Sequence, residues 1–433
     1  MTGTSTPPSV WTTRDAASDL ARVLRQALRQ DALGAEPAAV FHDLGALRAK
    51  VQRLQHLFPA GTLHAVAIKA NPLIEVLREI ADLGAGLEAA SREEVHCALA
   101  AGCLPERIVY NSPAKRTEDL AEALRLGLQI NADTFEELAR IDDLLGSVET
   151  ASTVCLRVNP LVGSGTIAIT SVANRTSKFG VFLDNDAPIV EAFRRYSWLS
   201  GLHLHVGSQG CEVAMLVEAA RVILDLRARI HTALGRTQIT TLNMGGGLPW
   251  AYREEATPPS PEHYVAMLRE DCPELFDGDL RLVTEFGRSV QAGCGWAASR
   301  VEYVKEDRDP RMAVIHLGAD FLMRTAYHPD DWPHRLSVLT PGGEVKTGDL
   351  VPQTIAGPLC FSGDIIARGR MLPRIEPGDW VLVHDAGAYT LGMWSRHCSR
   401  GLPLVLGYDD AGTAFKTLRR RETPDDVVAF WSV

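Results

Sequence analysis

Lys69 is the first residue whose type and position suggest chemistry. It closes the apolar run Ala65–Ile68, and burial at the end of a strand would partly desolvate its ammonium group. Desolvation lowers the pKa of an amine, and a neutral amine can attack a carbonyl carbon to form a Schiff base. A lysine at a strand end can also extend its charge to solvent, so Lys69 alone leaves both interpretations open.

Further polar residues lie at or just after later apolar runs. They are Glu88, Arg157, His205, Ser208, Gly245–Gly247 and Glu285. Backbone N–H groups of consecutive glycines can approach a phosphate closely, and a serine hydroxyl can add a hydrogen bond. A histidine can stack on an aromatic ring, and a carboxylate can pair with a ring nitrogen. Together with the lysine, these groups predict a site for pyridoxal 5′-phosphate.

Along the chain between these groups, strand-like apolar runs alternate with segments that have the hydrophobic periodicity of helices. Eight strand-like runs are each followed by an amphipathic segment or a long loop: His64–Ile68, Gly86–Ala89, Arg107–Tyr110, Leu128–Asn131, Thr153–Val158, Gly201–Val206, Ile239–Met244 and Leu282–Glu285. Eight such units in succession favour a (β/α)8 barrel, in which active sites lie at the carboxyl ends of the strands. An open, doubly wound sheet would use the same elements and is the alternative.

The pattern changes after Arg288. Short strand-like runs follow, separated by turn sequences such as Pro341–Gly343, with no helical alternation. We therefore predict an α/β protein with a TIM-like barrel over residues 44–289. A C-terminal β-rich domain, sandwich- or barrel-like, is expected over residues 290–433. Residues 1–43 show no barrel unit, and we expect them to pack with the β domain.

Composition limits the classes of partner. The chain has 433 residues with 54 acidic and 44 basic side chains, and its net charge is −10. Such a surface does not attract phosphate backbones, so nucleic-acid binding is not expected. No apolar run reaches the ~20 residues of a membrane span. The N-terminal sequence lacks the pattern of a secretion signal, and the eight cysteines contain no CxxC pair, so we expect a cytoplasmic protein without a metal site.

Eight short motifs occur in a characteristic order between about residues 40 and 390. They are AVAIKAN, LRVNP, SKFG, HLHVGSQ, NMGGG, EFGR, GPLCFSGD and DAGAYT. In this order and spacing they closely resemble the pyridoxal-phosphate decarboxylases of the alanine-racemase fold (fold type III), the group of diaminopimelate and ornithine decarboxylases. The resemblance covers most of the chain.

The resemblance implies a role for each matching residue of the cofactor site. Lys69 would carry the cofactor covalently, His205 would stack on its ring, and Glu285 would pair with its ring nitrogen. The cofactor-binding residues would also include Glu88, Arg157, Ser208, Gly245, Gly246, Gly247, Arg288 and Tyr389. A carboxylate keeps the ring nitrogen protonated, and this protonation makes the ring a strong electron sink. Racemases of similar fold place an arginine there, so Glu285 favours decarboxylation.

The resemblance also implies a homodimer with shared active sites. Cys360 in GPLCFSGD would come from the partner subunit and protonate the carbanion that remains when carbon dioxide leaves. With Lys69, His205 and Glu285 it completes the predicted catalytic set. A small buried hydrophobic residue is the alternative role for a cysteine.

Three positions depart from the family pattern. Glu88 replaces the usual aspartate, Phe286 replaces the usual proline of EFGR, and Phe361 follows Cys360. Diaminopimelate decarboxylases typically have glutamate after this cysteine, and ornithine and lysine decarboxylases have aspartate. That carboxylate meets the distal ammonium of the substrate. Phenylalanine cannot pair a buried cation, and leaving one unpaired is strongly unfavourable.

Arg324 occupies a position where diaminopimelate decarboxylases bind the distal carboxylate of their substrate, with Tyr327 or His328 nearby. Arginine holds a carboxylate through two hydrogen bonds, although a solvated surface charge is the alternative. Arg324, Tyr327, Phe361 and Arg288 are the candidate substrate-binding residues. They predict an amino-acid substrate with a carboxylate-bearing tail, in a specialised biosynthetic pathway.

Two other functions remain open at this point. One is diaminopimelate decarboxylation itself, in lysine biosynthesis, with the loss of a carboxylate at Phe361 compensated elsewhere. The other is a non-catalytic regulator, like the antizyme inhibitors that resemble ornithine decarboxylase. Lys178 and Asn111 are weaker candidates for the lining of the cofactor pocket.

Overall fold

The computed structural model describes residues 16–253, 256–409 and 412–433. The chain divides into two compact units. The barrel unit comprises residues 50–250 and 259–290, and the β unit comprises the described parts of 1–49, 251–258 and 291–433. The part of the N-terminal prediction that concerns residues 1–15 lies outside the described residues.

The described ranges contain the following strands and helices. The strands are β1 (Ala38–Asp43), β2 (Leu63–Ala67), β3 (Gly86–Ala89), β4 (Ile108–Tyr110), β5 (Gln129–Ala132), β6 (Val154–Asn159), β7 (Val181–Phe182), β8 (Leu199–His203), β9 (Thr241–Asn243), β10 (Arg281–Thr284), β11 (Gly295–Lys305), β12 (Arg311–Ile315), β13 (Leu336–Leu339), β14 (Leu350–Ala356), β15 (Ile365–Pro373), β16 (Trp380–Val383), β17 (Leu404–Tyr408) and β18 (Phe415–Arg419). The α-helices are α1 (Ala16–Arg29), α2 (Leu44–Leu57), α3 (Ile74–Asp82), α4 (Arg92–Ala100), α5 (Thr117–Leu126), α6 (Phe135–Leu145), α7 (Ala187–Arg195), α8 (Val213–Leu234), α9 (Pro261–Asp271), α10 (Arg288–Gln291), α11 (Met323–Tyr327) and α12 (Pro424–Trp431).

The barrel unit contains a closed parallel barrel. Among the residues described, eight strands follow one another in the order β2–β3–β4–β5–β6–β8–β9–β10, and β10 pairs with β2 to complete the circle. The short β7 pairs with β6 beside this circle. The prediction of a TIM-like barrel is thereby confirmed, and the open sheet is excluded because β5 pairs with β6 and β10 with β2.

Sequence signals at the helix ends explain where several barrel helices begin and end. The hydroxyl of Ser91 accepts the N–H of Glu94 at 3.1 Å at the start of α4, and Thr134 accepts the N–H of Glu137 at 3.2 Å before α6. Gly127 ends α5 with a φ of 75°, a left-handed conformation that suits glycine. These caps fix where the chain enters and leaves each helix, and so where the strand ends lie.

Some strands end earlier than the sequence pattern predicts. β2 ends at Ala67, and Lys69 lies in the 3-10 turn Ile68–Ala70. β8 ends at His203, so His205 belongs to the following loop. There the Leu204 N–H donates to the carbonyl of Asn243 at 3.0 Å, so strand-like bonding persists for one residue before the backbone turns.

The β unit is built on a mixed sheet in which β1 is an inner strand. β1 pairs with β11 in antiparallel fashion and with β17 in parallel fashion. The sheet runs β15–β14–β12–β11–β1–β17–β18, and β13 and β16 branch from β11. The Phe41 and Trp296 rings stack at 4.1 Å with an interplanar angle of 5° in the core of this unit.

None of the helices in the described ranges is long and apolar enough to cross a membrane.

Replacing Phe41 with alanine is expected to lower the free energy of unfolding by about 3–5 kcal/mol, because a fully buried ring and its stacking contact with Trp296 are lost. Urea denaturation measures this. Tyr303→Ala on β11, the strand of Trp296, is the control, since Tyr303 is 66% exposed and the change there is expected to stay within about 0.5 kcal/mol. Equal losses would contradict the assignment of Phe41 to the core.

Candidate active site

Each strand of the barrel contributes one polar side chain near its carboxyl end, and we call this set the polar belt. Its members are Lys69 after β2, Glu88 on β3, Asn111 after β4, Asn131 on β5, Arg157 on β6, His203 on β8, Asn243 on β9 and Glu285 after β10. All except Lys69 are buried. Side chains alternate across a strand, and those that point into a barrel of this size meet one another in its interior.

Glu285 lies at the centre of the polar belt. Its Oε1 accepts hydrogen bonds from Nδ2 of Asn243 at 2.7 Å and Nδ2 of Asn131 at 3.1 Å. Its Oε2 accepts a longer one from Nδ2 of Asn111 at 3.3 Å. Three neutral donors therefore hold one buried carboxylate in a fixed orientation.

Two histidines also face this carboxylate. The distance from Glu285 Oε2 is 3.5 Å to Nε2 of His203 and 3.9 Å to Nδ1 of His205. Burial by itself raises the pKa of Glu285, but the polar ring of His203 and the charge of Lys69 oppose that effect, and the net result is a pKa below the ordinary value. Amide donors favour the charged form as well. Glu285 is therefore ionised.

Glu88 is the second carboxylate of the polar belt, and its environment is different. It forms an ion pair with the ammonium of Lys69, and Nδ2 of Asn111 lies 3.5 Å from its Oε1. Complete burial raises its pKa, the charge of Lys69 lowers it and the charge of Glu285 raises it, and the net pKa is about 7. Two neighbouring carboxylates with pKa values pushed apart in this way can take different protonation states at neutral pH.

His205 is held by the glycine run. Its Nδ1 accepts the backbone N–H of Gly246 at 3.1 Å, and burial lowers its pKa to about 3. The imidazole is therefore neutral, and its proton lies on Nε2. A neutral ring with a fixed tautomer is suited to stacking against another flat ring.

The structure shows why glycine is required at positions 245 and 246, and the reason differs from the phosphate binding predicted from sequence. The Gly245 N–H donates to Asn243 Oδ1 at 2.9 Å and the Gly246 N–H to His205, so in this structure neither points at a phosphate site. A Cβ at Gly246 would lie 2.4 Å from the Glu285 carbonyl oxygen, and one at Gly245 would lie 2.4 Å from that of Leu204. Glycine lets the chain pass between these two strand ends.

Four predicted residues of the barrel unit form two groups: Arg288 contacts Ser208, and Arg157 and Lys178 both lie against the ring of Phe179. Nε and Nη2 of Arg288 both lie 3.3 Å from the Ser208 hydroxyl oxygen, which places a guanidinium beside a hydroxyl. The guanidinium of Arg157 stacks on Phe179 at 4.3 Å and lies 3.6 Å from Asp133. Lys178 is exposed, and its ammonium lies 5.0 Å from the Phe179 ring.

The predicted residues of the β unit gather around two aromatic contacts. The Arg324 guanidinium lies between the rings of Trp332 at 4.7 Å and Tyr389 at 4.8 Å. The ring of Tyr327 stacks on that of Phe361 at 5.7 Å. The role of Trp332 could not be predicted from sequence, because Trp332 follows Arg324 by eight positions and no spacing rule links the two.

Cys360 is exposed on a turn that Asp364 organises. The carboxylate of Asp364 accepts the N–H of Leu359 at 2.7 Å through Oδ2 and the N–H of Ala319 at 2.6 Å through Oδ1. A Cβ at Gly318 would collide with this carboxylate. Asp364 thus holds the turn that presents Cys360 and Phe361.

In the described part of the chain, no group of three or more His, Cys, Asp or Glu side chains is arranged to hold a metal ion.

Comparison with known proteins gives the family. Residues 44–292 match the family described as "Pyridoxal-dependent decarboxylase, pyridoxal binding domain". The chain belongs to this family. The diaminopimelate decarboxylase of Pseudomonas aeruginosa is 33% identical over 376 residues, 86% of this chain and 87% of that one. That of Zymomonas mobilis is 31% identical over 371 residues, 85% of both chains.

Solved structures agree with this family. The M. jannaschii diaminopimelate decarboxylase in complex with L-lysine is 26% identical with a TM-score of 0.82, and 94% of each chain is covered. The Helicobacter pylori enzyme with L-lysine is 25% identical with a TM-score of 0.81, covering 93% of this chain and 99% of that one. This chain is therefore a pyridoxal-phosphate-dependent carboxy-lyase acting on an amino acid, and the non-catalytic alternative is set aside.

The polar belt and the adjacent His205 together fit pyridoxal phosphate by their chemistry. Lys69 supplies an amine beside a carboxylate that can exchange a proton, and neutral His205 supplies a flat face. Glu285 has two short hydrogen bonds on Oε1 and only the longer one from Asn111 on Oε2. Oε2 is therefore the oxygen suited to a cationic ring nitrogen.

Replacing Asn243 with leucine is expected to lower the free energy of unfolding by about 2–3 kcal/mol near pH 8, because the charge on Glu285 loses its shortest donor. A carboxylate with a lowered native pKa stabilises the fold above its ordinary pKa, and this stabilisation is lost as the pH falls. Asn243→Leu raises that native pKa, so the deficit should stay constant from pH 8 to about pH 5 and shrink only as the pH falls further, towards pH 3. Urea denaturation at pH 8 and at pH 3 measures it.

Asn159→Leu is the matched control. Asn159 is buried in the same barrel, and its amide donates to the carbonyls of Val172 and Asn174 at 3.3 and 3.1 Å. Its deficit should be the same at both pH values. A pH-independent deficit in Asn243→Leu would show that Glu285 does not carry the charge.

Proposed function

We propose that this enzyme decarboxylates an amino acid whose tail ends in a carboxylate and carries no ammonium group where Phe361 lies. The observation that carries the proposal is the aromatic environment of Phe361. Its ring stacks on Tyr327 and meets the His397 ring edge-on at 6.4 Å. An ammonium placed against these rings would have weak cation–π attraction and no carboxylate partner from Phe361.

The carboxylate nearest in sequence to Phe361 does not replace the missing one. Asp364 lies three residues further along the same turn, but both of its oxygens accept backbone N–H groups at 2.6 and 2.7 Å. Turning Asp364 towards a substrate would break these bonds and leave buried donors unpaired. The turn therefore supports an apolar or aromatic contact with the substrate in place of an ion pair.

Arg324 supplies the complementary charge. The Trp332 and Tyr389 rings, 4.7 and 4.8 Å from its guanidinium carbon, restrict the orientation of the guanidinium. A guanidinium of restricted orientation binds a carboxylate through two parallel hydrogen bonds along its edge. We assign Arg324 to the tail carboxylate of the substrate, with Tyr327 beside it and Arg288 as a further substrate contact.

The residues of the barrel unit are assigned to the cofactor and the reacting carbon. When bound, pyridoxal phosphate supplies the electron sink for the pair left by carbon dioxide. Lys69 holds the cofactor, and Glu88 accepts or returns the Lys69 proton. Glu285 faces the ring nitrogen, and His205 covers one face of the ring. The remaining cofactor contacts in this unit are assigned to Arg157, Ser208, Gly247 and Arg288, several of them to the phosphate, and Tyr389 of the β unit is assigned to the phosphate as well. The N–H groups of Gly245 and Gly246 already have partners within the protein, so these two glycines are assigned to shaping the site.

The exposed Cys360 supports a shared site. We propose a homodimer in which the partner's Cys360 delivers a proton to the carbon from which carbon dioxide has left. Its exposure on a turn held by Asp364 suits a side chain that enters the site of a second copy. Activity in the cytoplasm remains a prediction.

Diaminopimelate is the second candidate substrate. The relatives at 31% and 33% identity bear the name diaminopimelate decarboxylase, and diaminopimelate also ends in a carboxylate that Arg324 could bind. It differs in its distal ammonium, which is the group that Phe361 disfavours.

A substrate panel separates the two candidates. Carbon dioxide release should be greater from amino acids with a carboxylate tail and no distal ammonium than from meso-diaminopimelate, lysine or ornithine, with Lys69→Ala as the blank. Arg324→Leu should lower kcat/KM for the preferred substrate about 10- to 100-fold, the value of a lost charge-assisted hydrogen bond. Phe361→Glu should raise the relative kcat/KM for meso-diaminopimelate. Efficient release from meso-diaminopimelate by the wild type would contradict the proposal.

Mixing two inactive variants tests the shared site. Lys69→Ala and Cys360→Ala should each be inactive or severely impaired alone. Co-refolding equal amounts should restore about a quarter of wild-type activity, because half of the dimers are mixed and each has one intact site. No recovery, with mixed dimers shown to form, would place Cys360 at the site of its own chain.

A further inference from the structure

His203 is a buried histidine that the assignments above leave without a role. It ends β8, opposite Arg157 on β6 and Asn243 on β9, and its exposure is 0%. His205 follows two residues later. A leucine or phenylalanine would fill the same space in a barrel interior without a polar group to satisfy, so the choice of histidine at this position needs an explanation.

The hydrogen-bonding capacity of His203 is unused in this structure. Within the described residues, neither Nδ1 nor Nε2 has a partner at hydrogen-bond geometry. The nearest charged atom is Glu285 Oε2, 3.5 Å from Nε2. A buried donor left unpaired is unfavourable, and a small movement of either side chain would pair it.

The ring of His203 is neutral. Burial lowers its pKa, the charges of Glu285 and Asp133 raise it, and that of Arg157 lowers it. A neutral imidazole carries one N–H, so it can donate from only one nitrogen. The nitrogen that faces an acceptor is Nε2.

The oxygen that His203 faces is the one that matters for the cofactor. Oε1 of Glu285 already has Asn131 and Asn243, whereas Oε2 has the longer bond from Asn111 at 3.3 Å. Oε2 is also the oxygen suited to the ring nitrogen. A donor on Oε2 stabilises the anion of Glu285. An anionic Glu285 favours a protonated ring nitrogen over the alternative in which the proton lies on the carboxyl group and the ring nitrogen is neutral.

We propose that His203 is a positioning residue that donates its Nε2 proton to Oε2 of Glu285, so that this carboxylate stays anionic opposite the ring nitrogen of the cofactor. The inference rests on the proposed pairing of Glu285 with that nitrogen. His203 acts only through Glu285 and touches no reacting atom.

The test is the protonation state of the ring nitrogen, measured as the 15N chemical shift of bound [15N]pyridoxal phosphate in the holoenzyme. Wild type and His203→Gln, whose amide retains a donor, should show a protonated nitrogen. His203→Phe should move the shift towards the unprotonated value and lower kcat, while the midpoint of thermal unfolding changes no more than in the control. Glu285→Gln should give the unprotonated value.

The control is His64→Phe. His64 is a second buried histidine of the barrel, on β2, and its Nδ1 lies 2.8 Å from the Thr284 hydroxyl. It faces no carboxylate in the polar belt, so its loss should leave the 15N shift unchanged.

The outcomes distinguish the role of His203 from the pairing of Glu285 with the ring nitrogen. A protonated nitrogen in Glu285→Gln would overturn the pairing of Glu285 and the proposed function at that point. An unprotonated nitrogen in Glu285→Gln with a protonated one in His203→Phe would overturn the role of His203 alone. If His203→Phe fails to fold, the 15N shifts of the His203 imidazole in the wild type decide the matter. A neutral ring with its proton on Nε2 supports the proposal, and a proton on Nδ1 overturns it.

Discussion

The site depends on a charged carboxylate kept inside a protein barrel. Moving a carboxylate from water into an apolar interior is strongly unfavourable unless donors replace the lost water. Here the donors come from Asn131, Asn243 and Asn111, at the carboxyl ends of three different strands. Because only a closed barrel brings the ends of all eight strands together, the fold itself is the condition for an ionised Glu285.

The glycine run connects this charge to the aromatic face of the site. Gly245 accepts the backbone N–H of Glu285 at 2.7 Å and donates its own N–H to Asn243. Gly246 fixes the tautomer of His205. One short segment therefore sets the orientation of the carboxylate and of the stacking histidine together. A Cβ at Gly245 would collide with Leu204 and His205, and a Cβ at Gly246 would collide with the backbone of Glu285.

Much of this site could be predicted from sequence, because residues at the carboxyl ends of barrel strands meet in one place. That rule identified Lys69, Glu88, Arg157 and Glu285. It could not show that Asn131 and Asn243 bind Glu285, since hydrogen bonds between residues 154 and 42 positions apart leave no local pattern. Glycine spacing predicts phosphate binding, but it does not reveal which acceptor an N–H meets. The stacking of Trp332 on Arg324 is invisible to spacing for the same reason.

Infrared difference spectra with 13C-labelled glutamate test the central claim most directly. Subtracting the spectrum of Glu285→Gln from that of the wild type isolates one carboxyl group, and Glu88→Gln isolates the other. We expect an ionised carboxylate band for Glu285 from neutral pH down to about pH 5. For Glu88 we expect a carboxylic-acid band that titrates near neutrality, in accord with its pKa of about 7. A carboxylic-acid band for Glu285 at neutral pH would contradict the account.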